Sequence, residues 1–296
     1  MNFEGKKLNQ IKEEKASEYF LEFRNRKLNL SSRPHLMGVL NVTPDSFSDG
    51  GRFYKLDEAI KQGVSLAEEG ADIIDVGGES TRPGSEPVPI EEELKRVIPV
   101  IEELAKRTEV PISIDTYKSK VAKEALDSGA QMVNDISALR FDPEMKNVVA
   151  YYRIPVALMH IQGTPRNMQE NPFYENVVEE IKDYLKESIK IAKDAGIEEE
   201  KILVDPGIGF GKTLEDNLKI LRNLKEFTDL GRPLLIGVSR KSFIGKILDL
   251  PVEERLEGSL SALTVCIMSG ANVLRVHDVK KSKRVARLVD AILRIG

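Results

Sequence analysis

Polar and charged residues follow a series of short apolar segments, each at the point where a segment ends. Asp115, Asn134 and Asp205 follow three of these segments, and Lys241 lies just beyond a fourth. Carboxylates and amides form planar, paired hydrogen bonds, and an ammonium group can reach a carbonyl or a ring nitrogen. The set therefore predicts a site for a flat heterocycle that carries an amino group, a ring N–H and a carbonyl.

A second group of segment ends has the chemistry of a phosphate site. Arg275, His277 and Arg82 offer cationic or donor groups to phosphate oxygens. Asn41 ends the first apolar segment, and its amide oxygen is a suitable ligand for Mg²⁺, which completes its shell with water and phosphate oxygens. The sequence thus predicts a heterocyclic substrate with a phosphate or pyrophosphate, and Mg²⁺ as the cofactor.

The apolar segments alternate with longer amphipathic or charged segments, and this alternation predicts the fold. The predicted strands are 36–40, 72–76, 111–114, 131–133, 156–159, 202–204, 234–238 and 272–276. The predicted helices between them are 56–69, 90–107, 118–127, 143–151, 174–195, 214–227, 253–269 and 279–295. Strands that are apolar throughout indicate a parallel sheet covered by helices, and eight such units predict a single (β/α)₈ TIM barrel. A doubly wound open sheet is the alternative.

The position of the polar residues agrees with a barrel. Active sites of this fold lie at the C-terminal ends of the strands, so the residues named above are expected to meet at one mouth. Residues 1–33 are predicted to form an N-terminal extension, with a helix around 8–15 and a hairpin of 19–23 and 27–30. Residues 34–296 are predicted to form the catalytic domain.

Composition narrows the class of partner. The chain of 296 residues is 41% hydrophobic and 31% charged, with a formal net charge of -4. It has no basic block interleaved with aromatics, which argues against nucleic acid or an anionic membrane as a partner and favours small molecules. The single cysteine, Cys266, lies in an apolar stretch, and no apolar run approaches the roughly 18 residues of a membrane span. A cytoplasmic location is therefore expected.

Two other motifs compete with this interpretation. The segment PGIGFGKT, residues 206–213, resembles a phosphate-binding P-loop, but Pro206 stands where the pattern requires glycine. A glycine-rich turn at the barrel rim explains the segment equally well. His160 and His277 end two strands, as in zinc amidohydrolase barrels, but His35 begins the first strand where such a site needs two histidines at its end. Zinc is therefore not predicted.

Longer stretches around the same residues resemble dihydropteroate synthases. In chain order they are NVTPDSFSDGG, DVGGESTRPGSEPV, ISIDTYK, VNDIS, MHIQGTPRNMQ, DPGIGFGKT, GVSRKSFIG and RVHDV. The resemblance extends from about residue 35 to the end of the sequence. It implies a transferase of folate biosynthesis that joins 6-hydroxymethyl-7,8-dihydropterin pyrophosphate to 4-aminobenzoate, releasing pyrophosphate and 7,8-dihydropteroate. It also implies a homodimer.

The resemblance implies roles for individual residues. The pterin pocket would be formed by Asp115, Asn134, Asp205 and Lys241, with Met159, Phe210 and Gly237 as its walls. The pyrophosphate would be bound by Asn41, Arg82, Arg275 and His277, with Asn41 also on Mg²⁺. The 4-aminobenzoate would contact Thr81, Arg82, Pro83, Ser239 and Arg240. The residues expected to be catalytic are Asp115, Lys241, Arg275 and His277.

These residues are consistent with one mechanism. Early cleavage of the C–O bond to pyrophosphate would spread positive charge over the pterin, and the Asp115 carboxylate would stabilise that charge. The loops after Asn41 and Glu79 are expected to close over the site and exclude water. Two alternatives stay open: a pterin-dependent methyltransferase and a catalytically inactive pterin-binding protein. The methyltransferase has no need of the run Ser239-Arg240-Lys241 or of a pyrophosphate site.

Overall fold

The computed structural model describes residues 18–43 and 52–295, so the predicted helix around 8–15 and most of the loop after Asn41 lie outside the described residues. Within that part, eight parallel strands lie side by side. They are β3 (His35–Asn41), β4 (Ile73–Gly77), β5 (Ile112–Asp115), β6 (Met132–Asp135), β7 (Val156–Met159), β8 (Ile202–Asp205), β9 (Leu235–Gly237) and β10 (Val273–Val276). Two shorter strands, β1 (Phe20–Glu22) and β2 (Lys27–Asn29), precede them.

The eight strands close into a barrel. Consecutive strands pair from β3 to β8, and β10 pairs with both β3 and β9. The remaining gap, between β8 and β9, is joined by a parallel bridge between Val204 and Leu234 and by a hydrogen bond from the Val204 N–H to the Pro233 carbonyl at 3.0 Å. The two outer strands of the sheet therefore meet. The predicted TIM barrel is confirmed, and the open-sheet alternative is wrong.

Helices cover the outside of the barrel. They are α1 (Arg52–Glu69), α2 (Ile90–Arg107), α3 (Ser119–Asp127), α4 (Met145–Tyr152), α5 (Val177–Asp194), α6 (Leu214–Arg222), α7 (Ser242–Leu248), α8 (Leu256–Met268) and α9 (Val279–Leu293). Their apolar faces and the outward faces of the strands form one large buried cluster, which includes Leu40, Val76, Ile101, Leu104 and Leu126. Burial of apolar surface on this scale is the main force that holds strands and helices together. None of the described helices has the length and apolar character needed to cross a membrane.

Two helix predictions need correction. The predicted helix 214–227 ends at Arg222, and a 3₁₀ helix, Leu224–Leu230, replaces its second half. The side chain of Asn223 donates to the Lys219 carbonyl at 2.9 Å, so it occupies an acceptor of the last turn. Asn side chains that bond to nearby backbone in this way favour helix ends. Helix α7 was not predicted, because its seven residues form less than two full turns and show little periodicity.

The predicted hairpin of β1 and β2 is present and closes the lower end of the barrel. Its side chains Leu21, Leu28 and Leu30 are buried against residues near the N-terminal ends of the barrel strands, among them Met37 and Leu203. Arg33, just before β3, forms two hydrogen bonds with Asp72, at 2.9 and 2.6 Å. The hairpin and this ion pair leave the opposite, C-terminal end of the strands as the open mouth.

Candidate active site

The residues predicted to form the site lie at one level around the mouth of the barrel. Strand register places them there, because paired residues of parallel strands share a height in the sheet. Asn41 pairs with Gly77, Gly77 with Asp115, and Asp115 with Asn134. On the other side of the barrel the register pairs Met159 with Asp205 and Arg275 with Gly237. The strands therefore present these residues as a ring.

A pocket opens inside this ring. The empty space within it, open solvent at the mouth included, is about 330 Å³. Its lining contains every residue predicted for the pterin pocket, together with Arg275 and Thr81. The full lining is Thr81, Asp115, Asn134, Ile136, Met159, Asp205, Ile208, Phe210, Gly237, Lys241 and Arg275. The prediction that these side chains converge is thus met by the geometry.

Arg275 connects two carboxylates at the floor of the pocket. Its Nη2 donates to Asp115 Oδ2 at 2.6 Å, and its Nε donates to Asp75 Oδ2 at 2.7 Å. Burial raises the pKa of Asp115; Arg275 opposes this rise and the neighbouring Asp75 adds to it. The electrostatic attraction of Asp75 and Asp115 raises the pKa of the Arg275 guanidinium despite its burial. Arg275 is therefore a permanent positive charge beside the Asp115 carboxylate.

Asp75 is the residue that the sequence analysis missed. It is fully buried, and its Oδ2 accepts hydrogen bonds from both Arg275 Nε and Asn134 Nδ2, the latter at 3.1 Å. Its Oδ1 has no hydrogen-bond partner among the described residues. The available clue was its position, since a carboxylate inside the apolar strand Ile73–Gly77 is costly unless it has a specific partner. Asp75 orients both Arg275 and Asn134.

Asp205 and Lys241 form the opposite wall with Phe210. Asp205 Oδ1 accepts a hydrogen bond from the Gly207 N–H at 2.7 Å. Burial raises the pKa of Asp205 to about 6, against the effects of the Gly207 N–H and of Lys241. Burial lowers the pKa of Lys241 to about 8, aided by the positive charge of Arg275. The Lys241 ammonium lies 4.2 Å from the centre of the Phe210 ring, a distance that allows a cation–π contact.

The glycine-rich turn 206–213 shapes this wall and does not form a P-loop. Its lysine, Lys212, is buried, and Lys212 Nζ lies 2.9 Å from His160 Nδ1 and donates to the Phe210 carbonyl at 2.8 Å. Gly207 has a φ of +70°, and a Cβ there would lie 2.0 Å from the His160 carbonyl oxygen. Lys212 therefore holds the turn against β7 from below and does not point to the pocket.

Ser239, Arg240 and His277 lie beside the pocket and do not line it. Ser239 Oγ is 3.0 Å from His277 Nδ1. Arg240 forms two hydrogen bonds to Asp278, from Nε at 3.1 Å and from Nη2 at 3.0 Å. Burial and the positive charges of Arg275 and Arg240 lower the pKa of His277 to about 4, so this imidazole is neutral near pH 7. The neutral ring can donate or accept a hydrogen bond but adds no charge.

The loop after β4 contributes to the pocket through Thr81. Arg82 and Pro83, which were predicted to contact substrate with it, are exposed and do not line the pocket. Asn41 lies at the mouth, next to Gly77. A Cβ added to Gly77 would be 3.8 Å from Asn41 Oδ1 and 3.6 Å from Asp115 Oδ2, so this glycine leaves a space between the two side chains.

The chain is similar to known proteins in both sequence and fold. A family model described as pterin binding enzyme matches residues 37–277. The dihydropteroate synthase of Clostridium beijerinckii is 49% identical, over 91% of this chain and 98% of that protein. This chain belongs to the dihydropteroate synthase family.

Solved structures of the family have the same fold. The Xanthomonas albilineans dihydropteroate synthase with 4-aminobenzoic acid superposes with a TM-score of 0.89 at 44% identity, over 95% of this chain and 100% of that one. The same enzyme in complex with 7,8-dihydropteroate gives a TM-score of 0.85 at 42% identity, over 94% and 100% of the two chains. The barrel and its mouth are thus those of a dihydropteroate synthase.

Proposed function

We propose that this protein condenses 6-hydroxymethyl-7,8-dihydropterin pyrophosphate with 4-aminobenzoate to form 7,8-dihydropteroate and pyrophosphate. The observation that carries the proposal is the convergence of Asp115, Asn134, Asp205 and Lys241 on one pocket with Arg275 at its floor. The Xanthomonas relative that shares this fold has been solved with 4-aminobenzoic acid and with the product. Both the reaction and its substrates follow from this agreement of site chemistry and family.

The polar side chains of the pocket suit the pterin ring. An ionised Asp205 accepts hydrogen bonds from the amino group and ring N–H of the pterin, while the Lys241 ammonium donates to a carbonyl or ring nitrogen. Phe210 and Met159 line the same pocket and provide apolar contact for the ring faces. Because Asp75 holds Asn134 in place, its amide is already oriented when the ring arrives. The pocket thus binds the pterin without rearrangement of these groups.

The pyrophosphate is assigned to the side of the mouth that carries Asn41, Arg275 and His277. Arg275 provides the positive charge at this side, and the neutral His277 provides a hydrogen-bond donor. Arg82, exposed at the rim, is within the part of the loop that would approach the leaving group. A fixed guanidinium stabilises the negative charge that develops on the departing phosphate oxygen.

Mg²⁺ is the proposed cofactor, and the residues present fit it. Asn41 Oδ1 lies beside the space left by Gly77, and one amide oxygen suits an ion that keeps several waters and binds phosphate oxygens. The described residues contain no group of three His, Cys, Asp or Glu side chains that would form an all-protein metal site. Asn41 would therefore hold the ion together with the substrate, where Mg²⁺ neutralises charge on the pyrophosphate.

The chemical step is a substitution at the methylene carbon of the pterin. The C–O bond breaks, and its electron pair leaves with pyrophosphate. The nitrogen of 4-aminobenzoate then bonds to the carbon and releases a proton. The Asp115 carboxylate would stabilise the positive charge that develops on the pterin. Arg275 holds Asp115 in position through its hydrogen bond. The arylamine is neutral at pH 7, so it requires positioning in the mouth and no dedicated base.

The carboxylate of 4-aminobenzoate is assigned to the region of Ser239 and Arg240, with Thr81 and Pro83 on the other side. Both Ser239 and Arg240 already have partners, His277 and Asp278. A substrate carboxylate would therefore be bound by the Ser239 hydroxyl and by the positive field of Arg240, which Asp278 keeps in a fixed orientation.

The deciding experiment measures pyrophosphate release by the purified protein. We expect release when the pterin pyrophosphate, 4-aminobenzoate and Mg²⁺ are all present, and its loss when either substrate is omitted or when EDTA removes the metal. Addition of Mg²⁺ after EDTA should restore it. Pterin binding without any release of pyrophosphate would favour a catalytically inactive binding protein. Methyl transfer from a methylated pterin would favour the methyltransferase alternative.

A homodimer in the cytoplasm completes the proposal. Helices α8 and α9 expose several large apolar side chains, including Val265, Met268, Leu288 and Ile292, and a second copy of the chain would cover them. Cys266, on the inward face of α8, is free and buried, which suits a reducing compartment. Light scattering should give about twice the monomer mass, and Met268→Glu should lower it; a monomer for both proteins would contradict the dimer.

A further inference from the structure

The loop formed by residues 79–88 is held at both ends by one buried ammonium group. Lys118 Nζ donates to Glu79 Oε2 at 2.5 Å, where the loop begins, and to the Val88 carbonyl at 2.6 Å, where it ends. A third bond joins it to Glu93 Oε2 at 2.5 Å, in the first turn of α2. Lys118 thus ties the two ends of the loop to each other and to the helix that follows.

The two carboxylates around Lys118 are otherwise fully bonded. Glu79 Oε1 accepts from the Tyr117 hydroxyl at 2.8 Å, and Glu79 Oε2 also accepts from the Val88 N–H at 2.8 Å. Glu93 Oε1 accepts from the Thr116 hydroxyl at 2.8 Å. Glu79 and Glu93 are both buried, so their charges depend on the single ammonium between them. Loss of that ammonium would leave two buried carboxylates that repel each other.

The outer part of the loop is fixed by a separate contact. The Gly84 N–H donates to the Pro165 carbonyl at 2.9 Å, in the loop after β7. The Ser85 hydroxyl donates to the Ser80 carbonyl at 2.5 Å and closes the loop on itself. Thr81, between these points, lines the pocket. The position of Thr81 is therefore determined by the anchored ends and by the contact at Gly84.

We propose that Lys118 is a positioning residue that fixes the 79–88 loop for binding of 4-aminobenzoate, an inference that rests on the function proposed above. Lys118 does not line the pocket and acts through Glu79 and Val88. The pterin-binding groups lie on the ends of β5, β6 and β8 and are held by other partners, such as Arg275 and the Gly207 N–H. Loss of Lys118 should therefore affect the second substrate far more than the first.

The test compares Lys118→Met with a matched control, Lys120→Met. Lys120 lies two residues further along and forms an exposed ion pair with Glu91 at 2.7 Å. We expect Lys118→Met to raise the KM for 4-aminobenzoate about 10-fold, because displacement of a positioning loop by an ångström is costly. The Kd of the pterin substrate should stay within about twofold by the same reasoning, and Lys120→Met should resemble the wild type.

A second, milder variant keeps the proposal testable if Lys118→Met does not fold. Tyr117→Phe removes one hydrogen bond to Glu79 and leaves every charge in place. It should raise the KM for 4-aminobenzoate about threefold, as loss of one hydrogen bond implies. An unchanged KM for 4-aminobenzoate in Tyr117→Phe would overturn the proposal. So would an equal weakening of pterin binding in either variant, since that would indicate general disruption of the site.

Hydrogen exchange separates this proposal from the proposed function, because it needs no activity. Amides of residues 79–88 should exchange faster in Lys118→Met and Tyr117→Phe than in the wild type and in Lys120→Met. If the wild type makes no dihydropteroate, faster exchange in Lys118→Met and Tyr117→Phe than in the wild type would still support the anchor, while the proposed function would be overturned. Unchanged exchange would overturn the anchor whatever the activity.

Discussion

The two ends of the barrel bury carboxylates in opposite ways. At the lower end, Asp72 accepts two hydrogen bonds from Arg33 and a third from the Leu36 N–H at 3.0 Å. Burial alone would raise the pKa of Asp72, but these donors bring it below its ordinary value. At the upper end, burial prevails and raises the pKa of Asp205 to about 6. Asp72, whose carboxylate has several donors, stabilises the fold. Asp205 has fewer donors, so its carboxylate can still accept hydrogen bonds from a ligand.

The two ends of the barrel also differ in packing. The lower end is filled by apolar side chains from the hairpin, including Leu21 and Leu28. The upper end keeps an open pocket, and Asp75 Oδ1 has no hydrogen-bond partner within residues 18–43 and 52–295. Residues that stabilise the fold and residues proposed to bind substrate therefore lie at opposite ends of the same strands. Substitutions at the two ends should separate stability from activity.

The largest effect on activity is expected at the upper end, from Asp115→Asn. The change removes the carboxylate proposed to stabilise positive charge on the pterin, so kcat should fall by more than ~100-fold while the protein stays folded. Steady-state pyrophosphate release and circular dichroism measure the two quantities. Asp183→Asn, at an exposed carboxylate of α5, is the control. A near-normal kcat in Asp115→Asn would remove this residue from the mechanism.

The corresponding change at the lower end is Leu21→Ala. It leaves a cavity beneath the barrel, so the free energy of unfolding should fall by about 3 kcal/mol. Urea denaturation measures this loss, and both KM values should be unchanged well below the transition. Tyr151→Ala, at a side chain that is 80% exposed, should have little effect. A change in either KM with Leu21→Ala would show that the two ends are coupled.

Neutralising one carboxylate at each end should shift stability in opposite directions. Asp72→Asn should lower the free energy of unfolding at pH 7 by about 2 kcal/mol, since it removes charge-assisted hydrogen bonds. Asp205→Asn should raise it by about 1 kcal/mol, because a buried charge is removed. The sign of each effect follows from the direction of the pKa shift of each carboxyl group.

A carboxyl group with a lowered pKa, such as Asp72, stabilises the fold above its unfolded pKa, and this contribution is lost as the pH falls through the folded value. A group with a raised pKa, such as Asp205, stabilises the fold at low pH and loses that contribution as the pH rises through about 6. The Asp205 difference should therefore shrink between pH 7 and pH 4, whereas the Asp72 difference should persist at pH 4 and shrink only below the ordinary carboxyl pKa. Denaturation at pH 4 and pH 7 tests this, and equal signs at pH 7 would contradict the comparison.

The smallest effect is expected from Lys241→Met. Loss of one charged donor should raise the Kd of the pterin substrate about 10-fold at pH 7. The pKa of Lys241 is about 8, so wild-type binding should weaken above that pH as the ammonium loses its proton. The variant should lack this alkaline decline. Calorimetry at pH 7 and pH 9 measures it, and identical pH dependence in both proteins would reject the role of Lys241.

The sequence was sufficient to predict the site residues whose positions depend on the backbone alone. It was less informative about which side chains form hydrogen bonds with each other. Asp115, Asn134 and Asp205 end parallel strands, so counting apolar segments was enough to bring them together. The links from Arg275 to Asp75 and from Arg240 to Asp278 depend on which neighbours meet across the barrel and on side-chain rotamers. Hydrophobic periodicity gives no information on contacts across the barrel or on side-chain rotamers. The helix boundary at Arg222 was missed for a similar reason, because it depends on a local bond from Asn223.

The hairpin also has a consequence for the order in which the chain can fold. Leu21 and Leu28 are synthesised early, yet the cluster that covers them includes Leu235 and Val273, from the last strands of the barrel. Contacts between such distant parts of a chain form late and slowly. These leucines therefore lack part of their apolar cover until the last strands of the barrel have been synthesised. A chain that ends before β10 would expose an apolar surface to which chaperones bind, and completion of the barrel would bury that surface.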